Sequence, residues 1–410
     1  MQACRQTANS RSDDALCNIR DMTRIYVDNA ATSFPKPESV YRAVDDYQRR
    51  LGAPVGRGAY SEAVKVAGIV SRCRHLAAQL LGAESPERIV FTFNGTDSLS
   101  LALHGTLQAG DHVITSVVEH NSVLRPLREI EGRLGIELTV VSADAAGRVD
   151  PEAIRQALRP TTRLIALTHA SNVTGTVQPV EAVGQIAAEA GVLFLVDAAQ
   201  TAGQRPIDLR TLRADFLACA GHKGLLGPLG TGLLYVRPGR ETDLRSLRQG
   251  GTGTVSELEL QPETLPDKYE SGNHNALGLV GLEAALHYVH ERGVAAIHAH
   301  EAALTERLLQ RLQELPGVQT YGTAAGEDAS GLMRTSVVSL NVEGFEPLEL
   351  AAVLEESFHI QTRAGLHCAP GVHRLLGTTA LGGTLRVSFG PFNTEAHVDA
   401  VAEALAAITG

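Results

Sequence analysis

The chain has 410 residues, 44% of them hydrophobic and 20% charged, a balance that suits a folded globular protein and excludes wholesale disorder. Forty-six acidic against thirty-six basic side chains give a formal charge of -10, and no stretch gathers the positive minority, which argues against nucleic acid as a partner. No run of about 18 apolar residues is present to cross a bilayer, and the length exceeds the ~250–300 residues at which one core stops growing, so at least two packed units are expected.

In chain order, residues 1–21, MQACRQTANSRSDDALCNIRD, lack an apolar export segment and read as a disordered tail or an extension from an upstream start. TRIYVDNAA, directly after Met22, has a strand and turn pattern, and the segment 22–36 is expected to pack with the C-terminal unit. Pro37 opens a helical pattern over ESVYRAVDDYQRRL, and a second runs through EAVKVAGIVSRCRHLAAQLLG to a glycine stop at Gly82. Short apolar runs then alternate with helical stretches: RIVFTF, HVITSVV, IELTVVS, RLIALTH, VLFLVDA and DFLACA. LIALTH and VLFLVDA are continuously apolar, as strands covered on both faces are, so the class is α/β with a mostly parallel sheet flanked by helices. After about residue 275 the pattern changes to a smaller α+β C-terminal domain (276–410), which contains RAGLHCAP; residues 22–275 form the large domain.

Ligands of such sheets bind beyond the carboxyl ends of the strands. Asn94 to Asp97, Glu119 and His120, Asn172, Asp197, His222 and Lys223 all follow strands and are candidates for one pocket. Lys223, after a buried run and before a glycine-rich turn, is a candidate amine nucleophile, where a lone lysine would be a solvated loop residue. Asp197 at the end of VLFLV needs a cation or hydrogen-bond donors; a helix N-cap is its plainer role. Asp197 with Gln200 and the downstream Lys223 is the set a pyridoxal phosphate site requires: an acid for the ring nitrogen, a donor for the phenolic oxygen and an amine for the aldehyde. The turn Asn94–Asp97 opens a helix and could hold an anion with its amides and the Thr96 hydroxyl, or be an ordinary capping turn. His120 could stack on a ring or move protons, or be structural.

Five cysteines, Cys4, Cys17, Cys73, Cys219 and Cys368, are an odd, scattered set without a CxxC pair, which fits a reducing, cytoplasmic setting. Cys73 and Cys219 lie in apolar runs and read as core. Cys368, among glycine, proline and charge, ranks first as a nucleophile, second as a core thiol and third as a metal ligand; no metal is expected. A thiolate there would be favoured by Arg363 or a protonated His367.

From Met22 to the C-terminus the chain resembles the cysteine desulfurases, of the class V aminotransferase group with the type I pyridoxal-phosphate fold. The stretches that carry the resemblance are IYVDNAATSFPKP, VVEHNSVLRPL, LTHASNVTGTVQP, VDAAQTAG, AGHKGLLGPLGTGLLYV, GGTGTVSELELQPETLPDKYESGN, RAGLHCAPGVH and LRVSFGPFNT. RAGLHCAP and GGTGT favour the desulfurase and selenocysteine-lyase branch. The resemblance implies a seven-stranded sheet, pyridoxal 5'-phosphate carried by Lys223, and a homodimer with active sites at the interface. It assigns Asp197 to the pyridine nitrogen, Gln200 to the phenolic oxygen, His120 over the ring, and Thr96, Asp97 and His222 to cofactor contacts. Asn172, Arg363 and Arg386 fall at substrate positions, with Arg57 from the neighbouring subunit, and Cys368 becomes the persulfide-forming nucleophile. L-cysteine is the implied substrate, L-selenocysteine the alternative, and a sulfur-acceptor protein a partner; a sulfur-relay adaptor without catalysis is the reading from another class. Ala220 departs from the usual Ser or Thr of the family, Asn273 and Ala276 stand in place of its threonines, and Tyr60 replaces a frequent histidine.

Overall fold

The structure, a computed structural model, describes residues 24–410 except 57, 255, 256, 258 and 327–332. The expected N-terminal extension and Arg57 therefore lie outside the described residues. Strand β1 (Ile25–Tyr26) is followed by the helix Glu38–Asp46, for which Pro37 is the N-cap rather than the first turn, and by Ser61–Leu81, which stops at Gly82 in the left-handed region (φ 70°). Seven strands come next: β2 (Ile89–Thr92), β3 (His112–Ser116), β4 (Glu137–Val141), β5 (Thr162–Thr168), β6 (Leu193–Asp197), β7 (Phe216–Ala220) and β8 (Gly232–Val236). They form one sheet in the order β2-β8-β7-β6-β5-β3-β4. β8, inside TGLLYV, runs antiparallel to both neighbours. Its connection to β7 is a short glycine-rich loop, too short for the crossover a parallel return requires.

Alternate residues of each central strand feed two apolar layers. Phe194 and Val196 join Leu217 and Cys219 on one face; Leu193 and Leu195 join Phe216 and Ala218 on the other. Cys73 and Cys219 are fully buried in the first layer. The C-terminal unit is an antiparallel sheet of β9 (Val318–Tyr321), β10 (Val337–Val342), β12 (Arg363–Gly365) and β13 (Thr384–Ser388), in the order β12-β13-β10-β9, while β11 (Ile360–Gln361) pairs in parallel with β1. Val27 lies in the apolar cluster of this unit, so the N-terminal segment is stitched to it.

One boundary differs from the expectation. The helix Ala276–Arg292, assigned from sequence to the C-terminal domain, inserts Leu279, Leu282 and Leu286 into the large unit's core and packs Ala285 and Val289 against Val40. Its apolar residues face several directions, so periodicity alone could not say which unit it covers. The next helix, Val294–Gln313, is the one that turns Leu304, Leu308 and Leu312 into the small unit.

Candidate active site

The carboxyl ends of β2, β3, β5, β6 and β7 converge on one cavity lined by Thr96, His120, Asn172, Asp197, Gln200, His222 and Lys223. Asp197, the last residue of β6, is buried; its Oδ1 accepts from the Ala199 amide (2.9 Å) and it has no ion-pair partner among the described residues. Burial raises its pKa, against the pull of Lys223. The Lys223 amine makes no hydrogen bond among the described residues, and burial lowers its pKa to about 8, with Asp197 opposing. A lysine so held is partly neutral near physiological pH and can act as nucleophile or base.

His120 caps the helix Asn121–Leu134: its Nδ1 accepts from the Ser122 amide (3.0 Å), which leaves Nε2 as the protonated nitrogen. Burial, then the positive charge of Lys223, brings its pKa down to about 4, so the ring is neutral at pH 7. His222 is likewise lowered to about 4 by burial, and its buried Nδ1 has no hydrogen-bond partner among the described residues. Thr96 lies on the first turn of Gly95–Thr106, whose leading amides have no intrahelical acceptor. Asp97 does not line the cavity; its carboxylate accepts from the Phe93 amide (3.0 Å) and pairs with Arg248 (3.4 Å).

The cysteine loop is short and held at several points. β12 pairs with β13, residues 366–369 turn, and the helix Pro370–Leu375 follows. A Cβ added at Gly371 would stand 2.2 Å from the Val117 carbonyl oxygen, so only glycine lets this helix approach the large unit so closely. His367 and Cys368 both adopt left-handed backbone, φ 46° and 59°, which side chains disfavour. Two bonds across the units hold this conformation: Asn172 Nδ2 donates to the His367 carbonyl (2.6 Å) and the Asn121 amide donates to the Cys368 carbonyl (2.7 Å). The exposed Cys368 is thereby anchored through its carbonyl to Asn121, the residue after His120, which lines the cavity.

The expectation that a protonated His367 favours the thiolate is corrected by its surroundings. Its Nε2 faces the Thr384 carbonyl (2.9 Å), and burial, then Arg386, holds its pKa well below the ordinary value, so it carries no charge. Arg363, half-buried and without a hydrogen bond or ion pair among the described residues, carries a positive charge whose field reaches Lys223 and His120. Arg386 is fully buried: Nη1 donates to the Asn172 carbonyl (3.1 Å), Nη2 to Asp28 (2.7 Å), and Nε has no partner. Among the described residues no group of three His, Cys, Asp or Glu side chains could hold a metal ion.

Several contributors were not singled out in the sequence. Residues 28–36 brace two lining residues from behind: Gln200 Nε2 donates to the Ala30 carbonyl (3.1 Å), and the His222 carbonyl accepts from Thr32 Oγ1, the Ser33 amide and Lys36 Nζ (3.1, 3.1 and 2.9 Å). Asp28 carried the same signal as Asp197, an acid ending an apolar strand. Ser122 carried none. Glu119, picked out as following β3, is fully buried beneath the site, with Oε1 accepting from Ser116 Oγ (2.5 Å) and the Thr168 amide (3.1 Å) and Oε2 unpartnered. Burial pushes its pKa from 4.5 to about 8. The folded state keeps the proton while the unfolded chain ionises, so this group's contribution is lost as pH rises from 4.5 through about 8. Glu119→Gln is expected to raise the melting temperature above pH 8 by several degrees and leave it unchanged near pH 4, as read by thermal unfolding across that range.

A family model for class-V aminotransferases matches residues 25–401. The chain belongs to that family. The probable cysteine desulfurase of Methanothermobacter thermautotrophicus is 37% identical to it over 99% of this chain and 98% of the relative. The cysteine desulfurase of Haloferax volcanii is 32% identical over 93% of this chain and 88% of its own length. Among solved structures, the apo cysteine desulfurase from Thermococcus onnurineus NA1 superimposes with a TM-score of 0.87 at 34% identity, covering 94% of both chains. The Escherichia coli cysteine desulfurase CsdA gives 0.83 at 29% identity, over 93% of this chain and 94% of that one. The class-V aminotransferases are pyridoxal-phosphate-dependent enzymes, and the mostly parallel sheet with its small C-terminal unit is their type I fold. No helix among the described residues is long and apolar enough to cross a membrane.

Proposed function

We propose that this class-V enzyme is a cysteine desulfurase: it binds pyridoxal 5'-phosphate, converts L-cysteine to L-alanine and receives the sulfur on Cys368 as a persulfide, for iron-sulfur cluster or thio-cofactor synthesis. The reading carries with it the homodimer, the sulfur-acceptor protein and the cytoplasmic setting expected above. The observation that carries it is an exposed cysteine on a strained, doubly anchored turn bonded to Asn172, which lines the same cavity as a partly neutral lysine.

The residues present fit the cofactor. Asp197 is a buried carboxylate in want of a cation, which a protonated pyridine nitrogen supplies; Lys223 offers a free amine; the Gly95 and Thr96 amides and His222 offer an anion corner. When bound, the cofactor supplies an electron sink for charge developing at the substrate α-carbon. Lys223, lowered to about 8, takes the α-proton as a general base. Asn172, which lines the cavity, and Arg386, buried behind it with Nη1 on the Asn172 carbonyl, receive the substrate carboxylate and orient its sulfur towards Cys368. The Cys368 sulfur, its proton given up, attacks that sulfur: an S–S bond forms, the substrate C–S bond breaks, and the electron pair left on carbon becomes a C–H bond of alanine. His120, neutral with Nε2 protonated, is placed to give a proton. Enzyme thiol plus cysteine yields enzyme persulfide plus alanine, with no external oxidant.

The test is mass spectrometry of the purified protein after exposure to L-cysteine without reductant. The expected result is a gain of about 32 Da, one persulfide sulfur, on the peptide containing Cys368. Alanine production with no adduct at that residue would overturn the assignment.

A further inference from the structure

We infer that Ser122 is a ligand of the cofactor's phosphate, a hydroxyl recruited to the anion corner alongside Thr96; this rests on the cofactor reading above. Three hydrogen-bonding groups meet there. Ser122 Oγ is 2.7 Å from Thr96 Oγ1 and 2.8 Å from His120 Nδ1. That nitrogen has one lone pair, and the Ser122 amide already donates to it at 3.0 Å. The two hydroxyls thus have two protons to place but, apart from each other, share one acceptor that an N–H already occupies.

An anion resolves this competition. With negative oxygens at the corner, Thr96 and Ser122 can each turn a proton outward into a charge-assisted bond, which is shorter and stronger than the neutral hydroxyl pair it replaces. The location fits such an occupant. Gly95, Thr96, Ser122 and His222 line the same cavity, and Ser122 is 8% exposed, close enough to the surface of the cavity to be reached yet shielded from bulk solvent. The Asp97 carboxylate, the nearest negative charge in sequence, is turned out to Arg248, so it does not repel an anion from inside the cavity. Across the corner the wall is the methyl of Ala220: a Cβ built on Gly95 would meet the Ala220 Cβ at 3.6 Å. That side offers no hydroxyl, so side-chain donation must come from the Thr96 and Ser122 side and from His222. His120 keeps its tautomer throughout, because the Ser122 amide rather than the hydroxyl fixes Nδ1 as an acceptor.

The experiment is a spectroscopic titration of cofactor-free wild type and Ser122→Ala with pyridoxal 5'-phosphate and, separately, with pyridoxal, which has the same ring and aldehyde but no phosphate. Ser122→Ala is expected to raise the Kd for pyridoxal 5'-phosphate about tenfold, the worth of one charge-assisted hydrogen bond, and to leave the Kd for pyridoxal within about twofold. Equal weakening of both ligands would overturn the inference, since it would mean that the hydroxyl acts on the ring through His120. Unchanged affinity for both would overturn it as well. A wild type that binds neither ligand would remove the cofactor reading and this inference with it.

Discussion

Lys223→Ala is expected to yield a folded but colourless protein that no longer makes alanine from cysteine, with turnover reduced by a factor of at least about 10³, the scale of a lost nucleophile and general base. The visible spectrum of the purified protein is the direct readout, because the absorption of the bound cofactor depends on its link to an amine and no other lysine lines the cavity. Stability should move in the opposite direction from activity. The Lys223 pKa falls from 10.5 in the unfolded chain to about 8 in the folded one through burial. Between these values the unfolded chain binds the extra proton, so the stability of the cofactor-free wild type rises with pH across that window. Below about pH 8 the folded state carries a buried ammonium that alanine removes. Cofactor-free Lys223→Ala is therefore expected to melt higher than cofactor-free wild type at pH 7, with the gap closing by about pH 10.5. A wild type that stays colourless after addition of cofactor would overturn the functional reading.

The second large effect is that of Cys368→Ala. Alanine formation from cysteine is expected to fall by a factor of about 10² or more while the cofactor absorption and its Kd stay at wild-type values. The separation is expected because Cys368 is not among the residues that line the cavity. The backbone cost of φ 59° is nearly the same for alanine as for cysteine, so the fold should tolerate the change. Selenocysteine offers a further arm: its C–Se bond breaks more readily without thiol attack, so the variant should retain far more activity on it than on cysteine. Unchanged turnover of cysteine would remove Cys368 from the mechanism; equal loss on both substrates would mean that the thiol does more than attack sulfur.

Much of the site was legible because its residues occupy a position that sequence can mark, the polar step at the end of an apolar strand. Asp197, His222 and Lys223 were found in this way, as were His120 and the turn at Thr96, and the structure brings them to one cavity. Arg386 came from motif resemblance, since neither spacing nor periodicity ties a residue near the C-terminus to a sheet over a hundred residues upstream; Cys368 was marked by the glycine, proline and charge around it, and the resemblance gave it its role. Ser122 stayed hidden: a serine in the first turn of a helix looks like a cap, and only its 2.7 Å contact with Thr96 gives it another role. The helix Ala276–Arg292 was placed in the wrong unit because its apolar faces could satisfy either core.

Charge states divide along the same line. By itself the sequence determined the strands and helices, the class of fold, and the chemical types available at each strand end, because those depend on local pattern and side-chain identity. It offered both Arg363 and His367 as partners for a thiolate. Only the tertiary structure separated them, by burying His367 beside Thr384 so that its ring stays uncharged while leaving Arg363 without a hydrogen bond or ion pair among the described residues. It likewise lowered Lys223 to about 8, joined Asp28 to Arg386, and set Cys368 on a left-handed turn bonded to Asn121. Burial and the proximity of distant charges are properties of the packed chain, and a pKa follows from them rather than from the residue's neighbours in sequence.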